Sequence, residues 1–249
     1  MKTTITRFLN KLYRIFSYND YKLEYRKKLT MPSYLDQVLI GLLLSDGSLE
    51  KSSKTSLARL SVMFGSLHIS YLYHLYNLFE PYCDNLVTFV NTYNNNTNTN
   101  YVQVSFKTVS LPLFLKYHVM FYIFDETFNR YKKIVPVNIE DLMTPVVLAH
   151  LIMGDGNLKP IDKIIRIYTN SFSKKDVERL GNAITNKLGI VTKTTHDRNN
   201  QYMLTISNNQ LEKVRSTVLP YMHISMLYKL DLDPETSNCF KLEDHFHEI

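Results

Sequence analysis

Leu39-Ile40-Gly41-Leu42-Leu43-Leu44-Ser45-Asp46-Gly47 is an apolar helix-forming run that stops at Asp-Gly. It returns as Leu148-Ala149-His150-Leu151-Ile152-Met153-Gly154-Asp155-Gly156. Helix-start signals precede both copies: Ser33 with Asp36 three residues on, and Thr144 followed by Pro145 at the first helical position. Glycine, the usual residue just past a helix C-terminus, follows both. The aspartate before it is badly placed. A helix C-terminus carries partial negative charge and opposes a carboxylate there by a few tenths to about 1 kcal/mol. The same misplacement twice suggests that a cation offsets the repulsion.

The two aspartates stand 109 residues apart, and the elements after them recur in the same order. Short strands are predicted at Ser48 to Lys51 and Ala58 to Phe64 in the first half, and at Asn157 to Lys159 and Ile164 to Tyr168 in the second. A helix from Ser66, stopped by Pro81, answers one from Ser173, stopped by Gly189. Ile69, Tyr73, Tyr76 and Phe79 recur at helical spacing in one, and Val177, Leu180, Ile184 and Leu188 in the other. Two further strands follow each helix, Leu86 to Tyr93 with Tyr101 to Phe106, and Val191 to Thr195 with Tyr202 to Ser207. Closing helices are predicted near Leu111 to Tyr122 and Gln210 to Leu219. Each half therefore reads αββαββα, an α+β fold whose four-stranded antiparallel sheet has helices on one face and a wet face free for binding. The expected boundaries are a basic N-terminal arm at 1–30, the halves at 31–136 and 137–232, and a C-terminal tail at 233–249. Asn94 to Asn100 falls at the turn of the first half's second hairpin and reads as a polar turn.

With 249 residues, 45% of them hydrophobic, the chain can bury a sizeable core. Lysine and arginine outnumber acids by 29 to 23, a net charge of +6 that favours a polyanionic partner, nucleic acid or an anionic membrane surface. Cys83 and Cys239, far apart and in no metal-ligand spacing, predict neither a disulfide framework nor a zinc site, but two inert thiols in a reducing compartment. No run reaches the roughly 18 apolar residues of a membrane span. Val109 to Phe124, interrupted by Pro112, Lys116 and His118, reads as a buried helix. Lys2, Arg7, Lys11 and Arg14, with no acid among the first 19 residues, resemble an organelle transit peptide, with a nucleic-acid-touching arm as the alternative. Abundant Asn, Ile, Tyr, Lys and Phe, with no Trp and only seven Gly, point to an AT-rich, organellar gene.

The doubled motif resembles the LAGLIDADG homing endonucleases in their single-chain, two-motif form, over about residues 33 to 230. A second pair supports it: Tyr131-Lys132-Lys133-Ile134-Val135-Pro136 ends the first half and Met226-Leu227-Tyr228-Lys229-Leu230 the second. The resemblance, strongest to members encoded by mitochondrial introns, implies that Lys133 and Lys229 sit near the active site. It also implies that the motif helices lie side by side, bringing Asp46 and Asp155 together beneath the DNA minor groove. Two close carboxylates repel and either raise a pKa or demand metal, and phosphodiester hydrolysis uses divalent cations. Mg²⁺ suits hard oxygen ligands, with Mn²⁺ as a substitute. The backbone carbonyls of Ser45 and Gly154 are implied as further ligands, and Lys133 and Lys229 as organisers of solvent or stabilisers of developing charge.

His150 stands where the family usually has glycine, and Ile40 where it often has alanine, so a wider or asymmetric helix pair is expected. His150 itself is expected to be a core histidine rather than a ligand. Candidate DNA contacts on strands and hairpins are Lys51, Lys54 and Arg59 in the first half, and Asn157, Lys159, Lys163, Arg166, Tyr168, Asn170, Lys193, His196 and Arg198 in the second. His245-Phe246-His247 reads as a frayed tail. The implied protein is a monomeric, site-specific endonuclease that cuts both strands of double-stranded DNA across one minor groove of a long asymmetric target. Short 3′ overhangs, intron mobility and no membrane partner go with it. The expected compartment is the mitochondrion, with the chloroplast as alternative. The rival reading is a maturase, a non-cleaving binder of its own group I intron RNA.

Overall fold

The structure, a computed structural model, describes residues 24–26, 28–94, 98–199 and 201–233. Most of the basic arm, the tail with Cys239 and His245-Phe246-His247, and the centre of the asparagine tract lie outside the described residues. In chain order the first half comprises α1 (Ser33–Leu44), β1 (Ser48–Lys51), β2 (Ala58–Gly65), α2 (Ile69–Phe79), β3 (Thr88–Asn94), β4 (Thr99–Lys107), α3 (Leu115–Phe121), β5 (Tyr122–Asp125) and β6 (Arg130–Lys133). The second comprises α4 (Ile139–Leu142), α5 (Pro145–Asp155), β7 (Gly156–Lys159), β8 (Ile164–Tyr168), α6 (Lys174–Leu188), β9 (Lys193–His196), β10 (Tyr202–Ile206), α7 (Leu211–Val218) and a 3₁₀ segment, Ile224–Leu230. The strands form two antiparallel sheets of matching order, β1-β2-β4-β3 and β7-β8-β10-β9, so the doubled αββαββα reading holds.

The motif helices are apolar on every side because both are buried on every side. In α1, Leu35 and Val38 to Leu44 are buried, and in α5, Val146 to Met153. The two helices pack on each other and separate the sheets. Each fully buried leucine contributes roughly 1.5–3 kcal/mol, so this seam is a principal source of stability. Thr144 caps α5 as expected, accepting from the Val147 N–H at 3.3 Å with Pro145 at the first position. Ser33 does not cap α1. It is already helical, because Pro32 (φ −57°, ψ 148°) occupies the cap position and its carbonyl accepts from the Asp36 N–H at 2.8 Å. Asp36 instead accepts from the Tyr117 hydroxyl.

Close approach, rather than a left-handed backbone, explains the glycines of the motif. Gly156 has φ −75°, and a Cβ there would lie 2.4 Å from the Ile152 carbonyl oxygen. The crowding expected from His150 is met by pairing unlike residues: a Cβ on Gly41 would lie 2.6 Å from His150 Cβ, and one on Gly154 would lie 2.4 Å from Ser45 Oγ. Gly41→Ala is therefore expected to lower stability by about 1–3 kcal/mol through overpacking, read as an earlier denaturant midpoint with an unchanged slope.

The expected closing helix at Leu111 to Tyr122 is shorter than its apolar run. It starts with a 3₁₀ turn, Pro112–Phe114, and gives way at Tyr122 to the β5–β6 hairpin. Asp125 organises the hairpin turn, accepting from the Thr127 and Phe128 N–H groups at 3.0 and 3.2 Å. The Tyr122 hydroxyl ties the hairpin to β1 by accepting from the Leu49 N–H at 2.9 Å. Among the described residues no helix is long and apolar enough to cross a membrane. Burial, reinforced by Glu80 and Asp84, pushes the Cys83 thiol up to about 12 and leaves it unreactive.

Candidate functional site

Asp46 follows the C-cap residue Ser45, whose backbone has left the helix (φ −124°, ψ −126°), whereas Asp155 is the last residue of α5. Their helices cross closely here: a Cβ on Gly154 would sit 3.1 Å from Asp46 Oδ2. The cation that the misplaced carboxylates called for is, in the first instance, a lysine. Lys133, at the end of β6, donates to the carbonyls of Ser45 at 2.8 Å and Gly47 at 2.7 Å. Lys229, in the last 3₁₀ segment and buried, donates to the carbonyls of Met153 at 2.5 Å and Gly154 at 2.7 Å. Each ammonium thus neutralises the carbonyl end of its own motif helix. The two half-sites are not identical: Lys133 brackets its aspartate, and Lys229 holds the two residues before its own.

Burial moves all four groups toward neutral pH, and the opposite charges resist it. Burial, then repulsion from Asp46, raises the Asp155 carboxyl to about 7 against the pull of both lysines. Asp46 keeps a solvent-exposed tip, yet burial of the rest raises its pKa too, opposed by Lys229, Lys133 and His68. Burial draws both lysines down to about 8, and the aspartates resist. Carboxylates that carry charge this reluctantly are receptive to a further cation. Two carboxylates and the main-chain oxygens of Ser45 and Gly154 make a hard-oxygen donor set that fits a Mg²⁺-like ion. A carbonyl oxygen has two lone pairs, so its bond to lysine leaves one for a metal. Among the described residues no group of three or more His, Cys, Asp or Glu converges, so water would complete such a shell.

The LAGLIDADG DNA endonuclease family model matches residues 36–214, a stretch that includes both Asp-Gly motifs and Lys133. The chain belongs to that family. It is 29% identical over 201 residues to the DNA endonuclease I-ChuI of Chlamydomonas applanata, covering 78% of this chain and 92% of that protein. To the cytochrome b mRNA maturase bI2 of Saccharomyces cerevisiae it is 27% identical over 197 residues, covering 78% of this chain but 46% of the maturase. The chain therefore spans less than half the length of that relative. The homing endonuclease I-WcaI, solved bound to its DNA recognition sequence, shares the fold with a TM-score of 0.75 at 23% identity, over 84% of this chain and 91% of that one.

In this LAGLIDADG chain the open sheet faces carry six of the twelve residues picked out for DNA contact: Arg59, Asn157, Lys159, Arg166, Tyr168 and Lys193. On the second sheet, Arg166 pairs in register with Asn157 and Thr205, and Thr205 in turn with Lys193. This polar row crosses all four strands, with Lys159 and Tyr168 beside it. Arg166, Lys193, Thr195, Met203 and Thr205 line a shallow trough on it. Asn170 and Arg198 are exposed in loops.

Some candidates are otherwise engaged. Lys159 is ion-paired to Asp162 in its own turn, and Lys163 holds Asp231 at 2.6 Å. Lys51 donates to the Lys54 carbonyl at 2.8 Å, and Lys54 lies 3.8 Å over the Phe124 ring. Arg59 shares Glu50 with Lys107, a cation on the same open face that sequence reasoning missed. The alternation of apolar and polar residues along Val102 to Lys107 was the available signal. His196 does not belong to the open face. Its register partner is Tyr202, out of phase with the outward Lys193 and Thr195, and its ring meets that of Tyr202 edge-on at 5.5 Å. His68, in the turn before α2, was also missed; it is electrostatically coupled to both Asp46 and Lys229.

Proposed function

We propose that this LAGLIDADG protein is an intron-encoded, site-specific endonuclease that hydrolyses both strands of a long asymmetric double-stranded DNA target across the minor groove, leaving short 3′ overhangs. The observation that carries the reading is the pairing of Asp46 and Asp155 at the crossing motif helices, each with a lysine on the backbone carbonyls beside it. Bound Mg²⁺, or Mn²⁺ in its place, supplies an activated water and neutralises charge on the attacking and leaving oxygens. Asp46 and Asp155, with the carbonyls of Ser45 and Gly154, are the residues that would hold it. Lys133 and Lys229 fix the backbone around each aspartate and bring positive charge to where the phosphodiester accumulates negative charge. Both aspartates lie on one chain, so a monomer suffices. The unlike outward residues of the two sheets favour an asymmetric target. Its place is an organelle, most simply the mitochondrion. Likeness to a cytochrome b mRNA maturase motivates one second reading, a maturase that binds intron RNA.

Incubation of the protein with DNA spanning an intron-insertion junction, with Mg²⁺ and with chelator, tests the proposal. Mg²⁺-dependent cleavage is expected. Intact DNA together with tight binding of the intron RNA would transfer the function to the maturase reading. The sheet assignment has its own test: Arg166→Ala should weaken specific DNA binding by about 1–3 kcal/mol if it meets a base edge. Raising salt from about 50 to 200 mM should weaken binding of the native protein by roughly 10³-fold or more. Titrations at several salt concentrations read both effects, and a salt-insensitive affinity would remove the basic face from the argument.

A further inference from the structure

A second cluster of titratable groups spans the seam between the halves, apart from the aspartates and lysines. Tyr71 and His74 come from α2 of the first half, and His150 and His223 from α5 and the turn after α7 of the second. Tyr71 and His150 are completely buried, and Tyr71 Oη lies 2.7 Å from His150 Nδ1. Ring centroids lie 5.0 Å apart for His74–His223, 5.9 Å for Tyr71–His223 and 6.4 Å for Tyr71–His74. His223 is held from behind, its backbone N–H donating to Met153 Sδ at 3.2 Å and its ring Nδ1 lying 2.7 Å from Ser225 Oγ. His150 Nε2 has no hydrogen-bond partner among the described residues. In either tautomer Nε2 stays unmatched, a penalty that a leucine of similar volume would not incur.

We propose that Tyr71, His74, His150 and His223 form a latch between the two halves that holds while the imidazoles are neutral and opens in acid. A proton added to any of these rings places a charge in the seam beside other imidazoles. The charge felt at His150 comes from His74, and that at His74 from His223, like-signed once protonated. Of the surrounding elements, α1 contributes Tyr34, which acts on Tyr71 and is itself acted on by Tyr221. Asp46 acts on Tyr71 and, with Lys229, on His68. Burial holds His150 at about 3 and His74 at about 4, and lowers His223. With folded values below the unfolded 6.5, the unfolded chain binds more protons, so stability falls as pH drops below 6.5. Between pH 6.5 and 5.0 the folded-to-unfolded ratio should fall about 15-fold per histidine, roughly 200-fold for His74 and His150 together.

Unfolding of the full chain, followed from pH 7.5 to 5.0 for the native protein, His150→Leu and His74→Gln, tests the latch. His74 is half-buried, so its variant does not depend on refilling the seam. Between pH 6.5 and 5.0 each variant is expected to lose about 15-fold less than the native chain, and His196→Gln, at an exposed position, to lose as much. Hydrogen exchange at pH 5.5 should show α1 and α5 losing protection before β4 and β10. An acid slope shared by the native chain and both seam variants would overturn the latch, as would protection lost evenly over helices and sheets.

Discussion

Asp155→Asn is expected to reduce cleavage by about 10³-fold or more while leaving DNA affinity in Ca²⁺ nearly unchanged. The large effect follows from the loss of a charged ligand where an ion contributes several kcal/mol to stabilising transition-state charge. Affinity should survive because the proposed DNA contacts lie on the sheet faces, away from Asp155. The same substitution should stabilise the metal-free protein at high pH. The folded Asp155 pKa, about 7, lies above the ordinary 3.8. The stability linked to its proton is thus fully present below about pH 3.8 and lost as pH rises through 7. Three units correspond to about 4 kcal/mol. Solvent reaches the half-buried carboxylate and the lysines lose a partner in the variant, so a gain of about 1–2 kcal/mol at pH 8 is the reasonable expectation. Melting curves without metal at pH 8 and pH 4 measure it. A variant melting below the native protein at pH 8 would show that the carboxylate is not strained by its surroundings.

Lys133→Met and Lys229→Met are expected to yield two different nickases. Each lysine serves one motif helix, so each deletion should slow one strand's cut by about 10²–10³-fold, the scale of losing one preorganised donor, and spare the other. Differential end-labelling of the two strands reads the bias. Equal slowing of both strands by either variant would mean that the lysines act as one charge reservoir rather than as local partners. Lys229→Met should also cost stability, because it leaves the buried Met153 carbonyl without its donor. Lys133 itself is more open, so Lys133→Met should cost less.

Repetition makes most of this fold legible in the sequence. One apolar run with Asp-Gly at its end means little; two, each followed by the same strands and helices, place both sheets and set Asp46 and Asp155 at the crossing of the motif helices. The failures are local and physical. β5 and β6 are four residues each, too short for alternation to stand out from the apolar helix before them. Ser33 suits a cap by its side chain, but Pro32 enters the helix one residue earlier. His196 reads as part of the wet face because the phase of β9 is set by its pairing with β10, which sequence does not display. The bonds from Lys133 and Lys229 to the helix-end carbonyls are hidden for the same reason: proximity to an aspartate suggests an ion pair, whereas the acceptors are backbone.

The unlike pairs at the seam also bear on how such a chain could be taken apart. Gly41 and His150 hold the same position in their two motifs, as do Ser45 and Gly154, and each residue occupies space that its counterpart vacates. Two copies of the second half would set His150 against His150, and two copies of the first would set Ser45 against Ser45 and leave a hole between facing glycines. The halves have diverged into complementary castings and are no longer interchangeable. Chimaeras that borrow one half from another protein would need both seam positions rewritten together.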